Sequence, residues 1–159
     1  MTAERVHAYR PVKPSASRFV AVRGLSYHVR TWGEPSARKL FLLHGWMDVS
    51  ASFQFMVDAL AGDWHVLAPD WRGFGLSEAP QDGYWFLDYT ADLDALVRAL
   101  ARGEKIALAG HSLGANVALH HRSAAARYPS FVAVAVSSSR RSSSAVQPDS
   151  SRSTLSGTV

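Results

Sequence analysis

Residues 106–120 read IALAGHSLGANVALH, and this stretch decides the fold that the sequence predicts. Residues 106–109 form an apolar run without polar alternation, which is typical of a strand buried on both faces of a parallel sheet. The glycine-flanked serine turn GHSLG follows at once, and residues 113–128 then have the composition of a helix that Pro129 ends. The stretch therefore predicts a strand, a tight turn carrying a serine, and a helix.

The turn GHSLG matches G-x-S-x-G in the strand-turn-helix context that presents a serine hydroxyl above a sheet. Gly110 and Gly114 lack a Cβ, so neighbouring chain can pass close to them, while the sharp turn forces Ser112 toward strained backbone angles. Ser112 is therefore a candidate nucleophile. The alternative is an ordinary glycine-rich turn that binds phosphate at a helix N-terminus, although this turn lacks the lysine of a P-loop.

The rest of the chain alternates predicted strands and helices. Further strands are expected at residues 18–22, 25–32, 39–43, 64–68 and 131–136. Apolar residues at helical spacing predict helices at residues 51–60 and 91–101, the second capped by Asp88 or Thr90 and ended by Gly103. This alternation implies right-handed crossovers and an α/β fold with a mostly parallel sheet.

Composition restricts the class of protein. A chain of 159 residues suffices for one compact domain, and an apolar fraction of 47% is typical of a globular protein. The sequence has no cysteine, which excludes disulfides, zinc-thiolate sites and a cysteine nucleophile. No segment has the apolar length of a signal peptide or a membrane span, so we expect a cytoplasmic location.

The net charge of +4 comes from the two ends of the chain. No ordered basic face is predicted, so nucleic acid is not an expected partner. Residues 137–159 contain ten serines and no aromatic residue, a composition that cannot bury enough surface to order itself. The predicted organisation is a flexible arm at residues 1–17, one α/β domain at 18–136 and a disordered tail at 137–159.

Two more motifs follow predicted strands. HGWMD occupies residues 44–48, after the strand at 39–43, and DWRGFGLS occupies residues 70–77, after the strand at 64–68. In this order, and together with GHSLG, they resemble the α/β-hydrolase superfamily over about residues 18–119. The likeness is greatest to its serine-hydrolase-like and esterase branches. The chain is therefore expected to hold the N-terminal half of an α/β-hydrolase fold.

The resemblance implies a serine-type mechanism. Ser112 would attack a carboxylic ester or similar small acyl substrate, and the backbone N–H groups of Trp46 and Leu113 would form the oxyanion hole. Water would then hydrolyse the acyl-enzyme without a metal or a cofactor. Haloalkane dehalogenases and epoxide hydrolases carry an aspartate where Ser112 stands, which argues against those two chemistries.

Other side chains of these motifs are expected to be structural. The resemblance assigns Asp70 and Arg72 to shaping the edge of the sheet, and His44 is expected to hold its loop by hydrogen bonds. Several aromatic residues lie near the loops that would line a pocket, although aromatics at such spacings more often belong to the core. They are Trp46, Trp71, Tyr84, Trp85 and Phe86.

The triad's acid and histidine are not where the family places them, which is after the nucleophile and in that order. Asp149 is the one acid after Ser112, and no histidine follows it. His120 and His121 fall on the same predicted helix, about 12 Å beyond Ser112 at 1.5 Å per residue. We therefore expect a hydrolase truncated before its acid and histidine; the alternative is a catalytically inactive fragment or pseudoenzyme that acts at most as a binding module.

The composition changes abruptly after residue 136, as a reading-frame shift in an Arg- and Ala-rich gene would produce. Translating the other frames tests this hypothesis. An incomplete sheet would expose an edge and one face, so we expect marginal stability and self-association through that edge. A monodisperse monomer with a sharp cooperative thermal transition would count against this expectation.

Overall fold

A computed structural model describes residues 9–124 and 131–136 of the chain. Within them the chain forms a six-stranded sheet, three α-helices and one 3-10 helix. The strands are β1 Ser15–Val22, β2 Leu25–Trp32, β3 Arg38–Leu43, β4 Trp64–Pro69, β5 Ile106–His111 and β6 Phe131–Val136. The helices are α1 Gln54–Ala59, α2 Phe86–Ala101 and α3 Leu113–Ala124, and the 3-10 helix is Ser50–Phe53.

The strand order in the sheet is β1-β2-β4-β3-β5-β6. β1 and β2 form an antiparallel hairpin, and β2 pairs antiparallel with β4. The pairs β3–β4, β3–β5 and β5–β6 are all parallel. The carboxyl ends of these parallel strands meet at one edge of the sheet, where an open α/β sheet binds its ligands. The predicted α/β fold with a mostly parallel sheet is confirmed.

β3 is buried on both faces because helices cover the sheet on both sides. Successive side chains of a strand point to opposite faces, and along β3 they enter two different apolar clusters. Phe41 and Leu43 pack in the cluster that includes buried residues of α2 and α3. Leu40 and Leu42 pack in the other cluster, with Val57 of α1. The apolar run of β3 therefore has the two-sided burial that its lack of alternation predicts.

β1 is longer than the sequence predicts, and the segment before it contacts α1. β1 begins at Ser15, three residues before the predicted start, and pairs with β2 from Ser15 opposite Trp32 onward. Before β1, the carboxylate of Asp58 accepts hydrogen bonds from the Tyr9 hydroxyl and from the backbone N–H groups of Val12 and Lys13. The end of the predicted arm thus contacts α1. Residues 1–8 and the predicted tail at 137–159 lie outside the described residues.

The helices differ from prediction at their ends. α1 is one short helix preceded by a 3-10 turn rather than a helix over residues 51–60. α2 begins at Phe86 without a side-chain cap, so the predicted cap by Asp88 or Thr90 is wrong; the Asp88 carboxylate instead binds Arg23 at 2.9 Å. The predicted continuation of α3 to residue 128 lies outside the described residues. None of the three described helices is long and apolar enough to cross a membrane.

Candidate active site

Ser112 occupies the turn between β5 and α3, at the carboxyl edge of the sheet. Its φ is 51°, in the left-handed region that a residue with a Cβ occupies only with strain. Its carbonyl accepts hydrogen bonds from the backbone N–H and the side-chain amide of Asn116, both at 3.1 Å. Ser112 therefore precedes the first turn of α3 directly, and the residue is exposed to solvent.

The glycines on either side of Ser112 allow this turn to form. A Cβ on Gly110 would lie 2.5 Å from the backbone nitrogen of Ala115. A Cβ on Gly114 would come closer than 3.0 Å to the carbonyl oxygens of both Leu43 and His44. Backbone atoms at such distances leave no room for a methyl group, so both positions require glycine for packing.

The loop after β3 passes directly over the serine. A Cβ on Gly45 would lie 3.3 Å from the Cβ of Ser112 and 2.8 Å from Nδ1 of His111. Trp46 is the next residue of that loop. Leu113 is the first residue of α3, where the backbone N–H has no partner within the helix. Leu113 thus follows Ser112 in the chain, and Gly45, the residue before Trp46, lies against the Ser112 side chain; that the N–H groups of Trp46 and Leu113 form an oxyanion hole stays a prediction.

His44 joins the loops that follow β3 and β4. It is fully buried, its Nδ1 donates to the carbonyl of Gly45 at 2.7 Å, and its Nε2 accepts from the backbone N–H of Trp71 at 2.9 Å. These partners require the neutral tautomer with the proton on Nδ1. Burial lowers the pKa of His44, with a smaller opposing effect from Gly45. Both ring nitrogens are occupied by backbone groups, so the ring holds the loop and is not placed to take a proton from Ser112.

Asp70 orders the segment at residues 70–77. Its buried carboxylate accepts hydrogen bonds from the backbone N–H groups of Ser50 at 2.6 Å and Leu76 at 3.0 Å, and lies 2.8 Å from Nδ1 of His28. Burial by itself raises the pKa of Asp70, but these hydrogen bonds outweigh it and the pKa is lowered. The charged form is thus held by its donors, and Asp70 acts as the anchor of this loop.

Arg72 belongs to a buried ionic cluster that the sequence did not reveal. Its Nε and Nη2 bind the two carboxylate oxygens of Asp92 at 2.6 and 2.8 Å. The Tyr27 hydroxyl and Nη1 of Arg23 also donate to Asp92. Burial by itself lowers the pKa of Arg72. The hydrogen bond to Asp92 and the negative charge of that carboxylate outweigh burial, so the pKa lies above its usual value. The sequence does contain one indication of a buried carboxylate: Asp92 lies beside Leu93 and Leu96 on the apolar face of α2.

The histidines after Ser112 lie away from it. His120 and His121 come eight and nine residues later on α3, which corresponds to about 12 Å along the helix axis. His120 packs edge-on against Phe86 of α2, with ring centroids 5.0 Å apart, and His121 is buried. The structure therefore does not bring either histidine to Ser112.

The aromatic residues near the site separate into core and surface. Trp71 is fully buried, and its indole N–H donates to the carbonyl of His44 at 2.9 Å. Trp46, Phe74 and Tyr84 instead form a group that we call the aromatic shelf, with ring centroids 5.0 to 6.5 Å apart. Trp46 is 53% exposed and Tyr84 45%. Trp71 thus belongs to the core. In the shelf, Trp46 and Tyr84 are exposed to solvent, and Phe74 is half-buried against the core.

A cavity of about 710 Å³ lies elsewhere in the molecule. It is bordered by Lys13, by Trp32 and Gly33 at the end of β2, and by Trp64 at the start of β4. The parallel strands begin at that end of the sheet, whereas Ser112 follows the carboxyl end of β5. This cavity is therefore not part of the candidate active site.

Known proteins resemble this chain in sequence and structure. The sequence model of a family described as alpha/beta hydrolase fold matches residues 39–153. Serine hydrolase-like protein of Danio rerio is 41% identical over 91 residues, which cover 56% of this chain and 28% of that protein. The 2-(acetamidomethylene)succinate hydrolase of Mesorhizobium japonicum is 40% identical over 116 residues, which cover 73% and 40% of the two chains.

The fold also matches solved structures. Epoxide hydrolase A of Mycobacterium thermoresistibile superposes with a TM-score of 0.61 and 32% sequence identity, over 68% of this chain and 34% of that one. This chain thus spans between 28% and 40% of the lengths of the two curated relatives and about a third of the solved structure. The residues that the family model matches, 39–153, include the turn with Ser112.

Proposed function

This chain belongs to the α/β-hydrolase fold family, and from that membership we propose that it is a serine-type hydrolase with Ser112 as nucleophile. Its substrate would be a carboxylic ester or a similar acyl compound. The observation that carries the proposal is the exposed Ser112, held at a φ of 51° between β5 and α3. A serine kept in a strained turn at the ligand-binding edge of the sheet is suited to attack rather than to packing.

The proposed reaction has two acyl-transfer steps. Ser112 Oγ attacks the carbonyl carbon, its proton passes to a base, and the carbonyl oxygen takes up negative charge. The N–H groups of Trp46 and Leu113 stabilise that oxygen, each contributing about 2.7 to 4 kcal/mol by analogy with other oxyanion holes. The bond to the leaving alkoxide breaks, the alkoxide takes the proton, and water then hydrolyses the ester on Ser112.

The serine also separates this proposal from epoxide hydrolysis, the activity named for several relatives. Attack by a carboxylate on an epoxide leaves an ester, which water can hydrolyse. Attack by Ser112 would leave an ether, which water does not cleave under the same conditions. Esters and similar acyl substrates are therefore favoured over epoxides for this chain.

A second candidate function is a catalytically inactive chain that only binds its ligand. The histidine geometry favours it. Both ring nitrogens of His44 are bound to backbone groups, His28 lies between Asp70 and Ser17, and His120 packs on Phe86. Ser112 would then need a base other than these. That the acid and the histidine belong to sequence beyond this chain stays a prediction.

Hydrolysis of chromogenic esters with short acyl groups distinguishes the two candidates. Three proteins are compared: the unaltered chain, Ser112→Ala, and Ser36→Ala, which changes an exposed serine at the other end of the sheet. A serine hydrolase gives turnover that Ser112→Ala abolishes and Ser36→Ala retains. No turnover by the unaltered chain supports the binding function, and turnover that survives Ser112→Ala overturns the proposed nucleophile.

The proposal includes two further predictions from the sequence, a cytoplasmic location and self-association through the sheet edge. β6 is an outer strand of the sheet and pairs with β5. Its sequence FVAVAV carries no charge or proline, the residues that commonly protect an edge from pairing with another chain. Sedimentation at rising protein concentration tests the association.

A further inference from the structure

We propose that the aromatic shelf of Trp46, Phe74 and Tyr84 binds the acyl group of the substrate and selects a flat, apolar, uncharged one. This inference rests on the proposed function, because it names the substrate class of the same site. It depends on three independent features of the shelf: its position beside Ser112, its fixed geometry and the charge of the loops around it.

The shelf begins at the loop that covers the nucleophile. Gly45 is so close to Ser112 that a Cβ on it would lie 3.3 Å from the serine Cβ, and Trp46 is the next residue. Phe74 extends the same surface and also packs edge-on against His44, with ring centroids 5.8 Å apart. A group bound on these rings would therefore be attached close to the carbonyl that Ser112 attacks.

The rings are held in a fixed arrangement. Trp46 meets Phe74 at 5.0 Å and an interplanar angle of 73°, and meets Tyr84 at 6.3 Å and 85°. Gly73 makes room for Tyr84, because a Cβ there would come closer than 3.0 Å to the tyrosine hydroxyl. Edge-to-face packing of this kind is the favoured geometry of aromatic rings. A rigid surface loses little entropy on binding, and a flat ring can cover its exposed faces.

The charge of the surrounding loops favours an uncharged group. Residues 44–48, 73–77 and 83–87 contain no lysine or arginine and one carboxylate, Asp48. The guanidinium of Arg72, which precedes the second of these loops, is buried and bound to Asp92. A carboxylate on the acyl group would therefore lose water without gaining a cation from these loops, which is costly. The relative named as a succinate-derivative hydrolase acts on an anionic compound; this chain should not.

The test measures binding to the Ser112→Ala variant, in which the nucleophile is removed. Isothermal titration compares methyl 2-naphthoate with the monomethyl ester of naphthalene-2,6-dicarboxylate, which keeps the ring and the ester and adds a carboxylate on the far side of the ring. We expect the uncharged ester to bind about tenfold more tightly than the ester that carries the carboxylate. Adding Trp46→Ala should weaken ester binding about tenfold, whereas Trp46→Phe should restore most of it.

Phe55→Ala is the matched control. Phe55 is 65% exposed, comparable with Trp46 at 53%, and its ring packs on that of Tyr9 instead, with centroids 4.3 Å apart. We expect this variant to bind the ester as the Ser112→Ala parent does. The proposal is overturned if neither compound binds, if both bind equally, or if Trp46→Ala has no larger effect than Phe55→Ala.

Binding and hydrolysis separate the two proposals. Tight ester binding by Ser112→Ala without any turnover by the unaltered chain would refute the proposed hydrolase and leave the shelf in place. The converse result is turnover that depends on Ser112, is equally fast for acetyl and 2-naphthoyl esters, and shows no change in KM with Trp46→Ala. That result would refute acyl binding by the shelf and leave Ser112 as the nucleophile. A circular dichroism spectrum of each variant checks that it is folded.

Discussion

Gly114 lies against the carbonyl group of Leu43, so close that a Cβ on it would approach that oxygen to less than 3.0 Å. The contact joins the helix after Ser112 to the end of β3. It thereby fixes the turn with the nucleophile against the strand that leads to Gly45 and Trp46.

Gly114→Ala should therefore destabilise the protein. The backbone atoms of Leu43 and His44 next to the added methyl group cannot move away as a flexible side chain could, so we expect a loss of about 3 kcal/mol in the free energy of unfolding. Gly24→Ala is the control, because Gly24 has a φ of 82° but open space around it; backbone strain alone should cost about 1 kcal/mol. Urea denaturation measures both, and equal losses would contradict the steric explanation.

Asp92→Ala should be among the most destabilising single changes. It leaves the buried guanidinium of Arg72 without its bidentate partner, a situation that typically costs about 3 to 5 kcal/mol. Asp94→Ala is the matched control two residues further along α2, where the carboxylate binds Arg98 at the surface. That change should cost less than about 0.5 kcal/mol. A similar loss for both variants, measured by urea denaturation, would show that burial of the pair has no effect.

Stability should fall as the pH is lowered below about 6.5. Burial lowers the pKa of His44 in the folded protein, so on acidification the unfolded chain takes up a proton before the folded one does. The stabilising effect is complete above the unfolded pKa and is lost as the pH falls toward the folded pKa, by at most about 1.4 kcal/mol per pH unit. Urea denaturation at several pH values measures the slope.

Burial lowers the pKa values of His65 and His121 as well. His44→Asn should therefore make the pH slope shallower without removing it. If the free energy of unfolding of the unaltered protein does not change as the pH is lowered below about 6.5, the neutral state assigned to His44 is wrong.

Leu113→Pro should slow the reaction of Ser112 with an acyl or phosphonyl reagent. Proline is tolerated at the first position of a helix and removes the backbone N–H that is proposed to stabilise the oxyanion. We expect a rate roughly a hundredfold lower. Leu113→Ala loses the side chain but keeps the N–H, and should react at nearly the original rate. Equal rates for the two variants would remove Leu113 from the oxyanion hole.

Local signals made the strands and the turn with Ser112 predictable. β2 has the predicted bounds of residues 25–32, because a glycine turn precedes it and its residues strongly favour strands. Gly110 and Gly114 are required because backbone atoms of nearby residues and of the end of β3 lie too close for a Cβ. The motif G-x-S-x-G therefore predicted this close packing. The three motifs in order also sufficed to predict the family, which the comparisons confirmed.

Contacts between distant parts of the chain were not predictable in the same way. Arg23 lies 65 residues before Asp88 and binds its carboxylate. Asp88 does not cap α2 because the helix already begins at Phe86. The docking of Tyr9 onto Asp58 likewise depends on where α1 lies in the fold. The partners of Asp92 could be inferred only in outline, since a buried carboxylate requires a partner but does not identify it. Hydrogen bonds and ion pairs between residues far apart in the sequence could therefore be identified only from the structure.

Labelling by a fluorescent serine-reactive phosphonate, followed by mass mapping of the modified peptide, tests the role of Ser112 most directly. We expect one adduct, on the peptide that contains Ser112, absent from Ser112→Ala and retained in Ser36→Ala. An unreacted protein, or labelling that persists in Ser112→Ala, would contradict the conclusion that this turn presents an activated nucleophile.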